Sequence, residues 1–183
     1  MIAIDSSDWE KGKKEFSIAL VSQLAIAMME SFQLIGLKAV KDYMIRSHVI
    51  HRPSGYNIGT AGSPKLNIRS GRLARSLVNN FNFSGSSGGG TSDSIRDIKV
   101  SERQIVGTFG STVPYAAIHE YGGVISAKGG GFLYFKIGPF WYRRKSVRIP
   151  ARPYLNPAAD SSRTEITALH NLAVAKAISI GGV

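Results

Sequence analysis

Two groups of residues in this chain have the types that catalysis or recognition requires. The first is His119-Glu120, a base beside a carboxylate, with Arg152 as a third polar group further on. A zinc-protease helix needs histidines at i and i+4, and position 123 is Gly, so that pair is incomplete. General acid–base work needs side chains that converge, and neighbours on a helix point apart. His119 therefore reads as a packing or hydrogen-bonding residue between helix and sheet, with a basic nuclease built on His119, Glu120 and Arg152 as the enzymatic alternative. His48 and His51 are spaced like a metal pair but have no third ligand near them. The run Gly-Gly-Gly-Thr-Ser at 88–92 lacks the lysine and the strand–helix context of a phosphate-binding loop. No paired-carboxylate constellation occurs. The expectation is a chain with no enzymatic activity, no cofactor and no metal.

The second group is Phe140, Trp141 and Tyr142 beside Arg143, Arg144, Lys145 and Arg148. Aromatics beside clustered cations suit nucleic acid, through stacking and phosphate contact. They also suit protein interfaces, where Trp, Tyr and Arg carry most of the binding energy. Three bulky groups next to the charges favour the interface reading, a packed centre with a polar rim. A DNA-binding protein is the alternative from another class.

Bulk composition narrows the rest. The chain has 183 residues, enough for one domain with a real core, and its net charge is +11, from 23 Lys and Arg against 12 Asp and Glu. Such a balance favours nucleic acid, an acidic protein surface or an anionic membrane as partner. There is no cysteine, hence no disulfide framework and no thiolate metal site, as suits a reducing cytoplasm. Lys11, Lys13 and Lys14 precede an apolar run, but Ser22, Gln23, Glu30 and Gln33 interrupt it. It reads as neither a signal peptide nor a membrane span.

The elements that must position these residues follow from periodicity. Residues 1–13 are polar and read as frayed. From Lys14 to Ser47, Phe16, Leu20, Leu24, Met28 and Phe32 recur every four residues, which predicts a long amphipathic helix with Gly36 as a kink. Residues 52–67, 84–92 and 128–131 are rich in glycine, serine or proline and read as flexible segments. Ser70 is a candidate N-cap for a short turn, followed by a strand through Leu77, Asn79, Phe81 and Phe83. Ile95 to Val100 and Gln104 to Phe109 complete an antiparallel meander. Pro114 opens a short helix to Tyr121 that buries Tyr115, Ile118 and Tyr121, and Gly122 and Gly123 stop it. Residues 124–127 and 131–137 are expected to form a hairpin around Lys128, and Asn156 to Ile180 a final helix. The fold class expected is α+β: a small antiparallel sheet packed by a long N-terminal helix and a C-terminal helix, in one domain over 1–183.

Three motifs in this order carry a resemblance: Ser-Gly-Arg-Leu-Ala-Arg-Ser-Leu at 70–77, the stretch Gly110 to Gly123 with Val-Pro-Tyr-Ala-Ala-Ile-His-Glu-Tyr-Gly-Gly, and Val147 to Ala158 with Ile-Pro-Ala-Arg-Pro-Tyr-Leu. Over about 70–160 the chain resembles the virion-morphogenesis, or tail-completion, family of Mu-like phages, and the related tail-to-head joining proteins of long-tailed phages. The motif residues are Tyr115, His119, Glu120, Gly122, Gly123, Arg152 and Pro153. The resemblance implies a structural virion protein, a homo-oligomeric ring (hexamer or dodecamer) at the neck that completes the tail and joins it to the head. A tail-terminator ring is the alternative in the same class. The implied partners are neighbouring neck or head-completion rings and tail-terminator or tail-tube proteins, with the genome DNA passing through the lumen and no membrane involved. Assembly would take place in the bacterial host cytoplasm. Because DNA must slide through such a lumen, an acidic protein neighbour is the expected contact of the Phe140–Arg148 cluster.

Overall fold

The structure, a computed structural model, describes residues 6–45, 65–68, 71–78, 91–101, 104–137 and 140–181. The first element is a single helix, α1 (Ser6–Tyr43), so helix starts before the polar segment expected to be frayed has ended. Gly36 lies inside it, and the helix runs unbroken through that position. A Cβ at Gly36 would sit 2.2 Å from the carbonyl oxygen of Leu77, so glycine is required there by the close approach of another backbone.

That backbone belongs to α2 (Arg72–Leu77), a short helix where a turn leading into a strand was expected at Leu77. Gly71 precedes it with φ 72°. Leu73, Ala74, Ser76 and Leu77 are all buried, because α2 packs both on α1 and on the segment 94–111, where Ser76 and Ser111 share a hydrogen bond at 2.7 Å. Ser70, the segment 79–83 expected to continue as a strand, and the pair His48 and His51 lie outside the described residues. Of the segment 52–67, the last two residues form β2 (Leu66–Asn67), which pairs in parallel with β1 (Met44–Ile45) at the end of α1. Of 84–92, Thr91 and Ser92 belong to a single helical turn, Thr91–Asp93, pinned where Arg72 Nε donates to Asp93 at 2.6 Å.

The two expected strands after it are present. β3 (Ser94–Val100) and β4 (Ile105–Ser111) pair antiparallel from Ser94↔Ser111 to Val100↔Ile105. Phe109 stacks on Phe32 of α1 at 5.4 Å, and Gly107 leaves room for the Met28 and Phe32 side chains. The core gathers Ala39, Val40, Met44, Leu73, Leu77 and Val113 around this seam.

The single C-terminal helix expected from Asn156 is two helices, α4 (Leu155–Ser161) and α5 (Arg163–Gly181). Ser161 and Ser162 each donate a side-chain hydrogen bond to the Ala158 carbonyl, at 3.0 and 2.8 Å. Hydroxyls that compete for backbone acceptors bend or break a helix, and here the break sits at buried Ser162. α5 runs back along α1, burying Ala173 and Ala177, small side chains that let two helix axes approach closely. Lys38 bridges the corner, donating to Glu165 and to the Ser161 carbonyl, both at 2.9 Å.

By length and composition, the helical stretch Glu10–Tyr43 is long and apolar enough to cross a membrane. This corrects the expectation that the stretch falls short; the scattered polar residues do not outweigh its Leu, Ile, Ala and Met. One side of α1 packs on α4, α5, β3 and β4, while Ile18, Ile26 and Met29 are exposed. The class is α+β as expected, with long N- and C-terminal helices. Its strands among the described residues fall into two-stranded ribbons instead of one sheet.

A clamped root and a basic arm

The short helix of the first motif is α3 (Ala116–Tyr121). Its buried positions are Ala116 and Glu120, four apart on one face, and not the aromatic set expected. Tyr115 and Tyr121 are exposed and Ile118 is half-buried, because the helix is set down on its smallest and its most strongly hydrogen-bonded residues. Gly122 and Gly123 both have positive φ, 71° and 157°; Gly122, with ψ −176°, ends the helix in a glycine-favoured extended conformation and not in the left-handed cap.

Glu120 is 6% exposed. Its carboxylate accepts from the backbone N–H groups of Tyr154 at 2.8 Å, Leu155 at 3.0 Å and Asn156 at 2.9 Å. These are the orphan donors at the start of α4, whose N-cap residue Tyr154 supplies no side-chain cap. A carboxylate delivered from another helix replaces the local cap, and its charge suits the positive end of the helix dipole. The two sequence motifs are thus one structural unit. Arg152 N–H donates to the His119 carbonyl at 2.7 Å, and Tyr154 Oη donates to the Ala116 carbonyl at 3.5 Å. A Cβ on Gly122 would lie 2.7 Å from Ala151 N, so the segment after Ile149 passes against bare backbone.

The electrostatics agree with a closed joint. Burial, then the carboxylate of Glu120, pushes the Tyr154 hydroxyl well above its ordinary range, so it stays a neutral donor. Burial, and then the Arg152 charge, lower the His119 pKa below its ordinary value. His119 packs edge-on against Tyr115 at 5.8 Å, and its buried Nδ1 has no hydrogen-bond partner among the described residues. Among the described residues no group of three His, Cys, Asp or Glu could hold a metal ion.

Between the two motifs the chain leaves the body and returns. β5 (Gly123–Ser126) pairs with β8 (Ser146–Ile149), and β6 (Leu133–Ile137) pairs with β7 (Phe140–Arg144), both antiparallel. The hairpin expected between 124–127 and 131–137 is therefore not formed. The pairs are nested, and Ala127 N–H donates to the Lys145 carbonyl at 2.9 Å to continue the first ladder. Lys128–Gly130 forms an exposed helical turn that bulges from one strand, and 138–139 lie outside the described residues. In each ribbon the two strands pair with each other, and the two ribbons are separate two-stranded sheets. We call Gly123–Ile149 the arm. It carries six Lys and Arg and no Asp or Glu, over half of the chain's net charge of +11.

The structure divides the predicted cluster between two faces, since side chains alternate along a strand. Trp141 and Arg143 share one face with Lys136 and Tyr134, their direct cross-strand partners. Trp141 is 72% and Tyr134 66% exposed. Arg143 lies over the Phe132 ring at 3.6 Å, and Lys136 sits 6.0 Å from the Trp141 ring. The other face holds Phe140, Tyr142 and Arg144, with Leu133 and Phe135; Phe135 and Tyr142 stack at 5.7 Å. Lys145 and Arg148 are exposed nearer the root, and Pro153 is exposed beyond it. Phe132, Tyr134 and Lys136 were missed, although their alternation in sequence marks them as one strand face.

The arrangement is thus an α+β body with an exposed basic arm between the two linked motifs. The chain belongs to the phage virion morphogenesis family, whose model matches residues 79–173, just over half its length and the whole arm with both motifs. The family points to a structural, virion-associated role and not to catalysis. No curated protein and no solved structure matches the chain significantly.

Proposed function

We propose that this protein is the repeating subunit of a ring at the phage neck, which completes the tail and joins it to the head. The arm is the observation that carries this reading. It is exposed along its length, uniformly basic and rich in aromatics, and its root is locked into the body by Glu120. Such a device presents a fixed contact surface at a distance from the core. Rings of identical subunits close through head-to-tail contacts. In this reading Phe140, Trp141, Tyr142, Arg143, Arg144, Lys145 and Arg148 face a neighbouring virion protein of acidic surface, and the DNA passes without being held.

Electron microscopy of particles made without the protein tests the reading. Filled heads and finished tails, unjoined, are the expected result. Intact joined particles would overturn it, and tails of irregular length would favour the tail-terminator ring. Light scattering of the purified chain is expected to give a hexamer or a dodecamer.

A further inference from the structure

A two-stranded ribbon is marginally stable by itself in water; a third strand or a packed helix is needed. The β6–β7 ribbon has neither among the described residues, and each of its strands has an outer edge without a strand partner. Open edges are where another chain adds a strand, with main-chain hydrogen bonds giving affinity and alternate side chains giving specificity. The two faces of this ribbon differ in chemistry. One carries Lys136 and Arg143 between Tyr134 and Trp141, while the other is mostly apolar, with Leu133, Phe135, Phe140 and Tyr142 and with Arg144 at its end. A strand laid on either edge puts alternate side chains on these two faces, and those on the cationic face come opposite or diagonal to Lys136 or Arg143.

We propose that the β6–β7 ribbon takes up a third strand from a different protein, one whose sequence alternates acidic and apolar side chains. Charge complementarity sets the acidic half of that pattern, and the apolar face sets the other half. A second copy of this chain does not fit. Among the strands of the described residues Asp97 is the sole acidic residue, and a copy of the arm would meet the arm with like charge. Duplex DNA fits less well, because its stacked bases offer nothing for exposed Trp141 and Tyr134 to stack on, whereas a strand covers both. The proposal rests on the neck reading in one respect, that a neighbouring virion protein supplies the strand.

The test uses the full chain with Trp9→Phe, which leaves Trp141 as its one tryptophan, and a capped synthetic peptide of alternating Glu and Val. Binding is expected to shift Trp141 emission and to weaken as salt is raised. The same residues in two blocks, all Glu then all Val, are expected not to bind. N-methylation of alternate peptide nitrogens, tried in each phase, is expected to abolish binding in one phase, since it removes the donors that join the ribbon edge. Lys136→Glu with Arg143→Glu is expected to weaken binding about tenfold or more, with thermal unfolding unchanged. Equal binding of the block peptide, or insensitivity to methylation in both phases, would overturn strand addition. So would duplex DNA binding more tightly than the alternating peptide through the same two cations. Failure of the peptide to bind while particles lacking the protein still fall into heads and tails removes this proposal and leaves the neck reading. Peptide binding alongside intact joined particles does the reverse.

Discussion

At the root of the arm, the Glu120 carboxylate accepts from three backbone amides and is nearly closed to solvent. Further out, Arg143 lies across Phe132 with no carboxylate beside it among the described residues, and Trp141 and Tyr134 stand exposed. Both regions are rich in polar and aromatic groups, and they differ in where the complement is. At the root the Glu120 carboxylate finds its partners within the chain, in three backbone donors. The arm holds charges of one sign beside exposed aromatics, with no carboxylate near Arg143 among the described residues. An internally satisfied site contributes stability, and an internally unsatisfied one is available for contact.

The contrast can be broken most sharply at Glu120. Glu120→Ala leaves three helix-start amides without their acceptor and is expected to cost about 2–4 kcal/mol, read by denaturant unfolding. Loss of under about 0.5 kcal/mol would mean that the root is not held by this carboxylate. Next comes Gly122→Val, which puts a branched Cβ into a positive-φ position 2.7 Å from Ala151 N. The expected cost is about 2 kcal/mol or more, and a fully stable variant would show that the stop does not need glycine.

A smaller effect should come from His119. Its pKa is lowered in the folded chain, so between pH 7 and 5 the unfolded chain binds the proton more readily. Stability from this group is present above the ordinary histidine range and is lost as pH falls through it. His119→Gln should flatten the pH dependence of the melting temperature in that window, and an unchanged slope would count against it. The smallest effect on stability is expected at the shaft. Reversing Arg143, Arg144, Lys145 and Arg148 to Glu should leave unfolding within about 0.5 kcal/mol, as for surface residues generally, while head–tail joining is lost. Normal joining, or tight salt-sensitive duplex binding by the unmodified protein, would reverse the assignment of the arm.

What could be read from the sequence divides along the same line. The glycine stop at Gly122 and the strands containing Ile98 and Phe109 are local properties, visible in residue type and alternation. The pairing of β5 with β8 is not local. Lys128 and the glycines after it look like a turn, and only the register Ser126↔Ser146 shows that they bulge from one strand. Ser162 reads as one more polar residue on a helix until its bond to Ala158 shows the break. Glu120 was weighed as a catalytic group and set aside, because its true partners are backbone amides, which leave no mark on residue type. The basic cluster was visible as a composition, but its division into two faces needed the cross-strand partners Tyr134 and Lys136.

The arm has a mechanical side as well. It is a cantilever whose two ends, Gly123 and Ile149, are built into one wall. Force applied anywhere along it arrives at a single joint, where Glu120 holds the first turn of α4 and the Arg152 amide holds the last turn of α3. Bonds loaded side by side share a pull, whereas bonds loaded in sequence fail one at a time. A tug on the shaft should therefore shift α3 and the start of α4 together, as a hinge plate moves with its pin, before it opens the helices behind them.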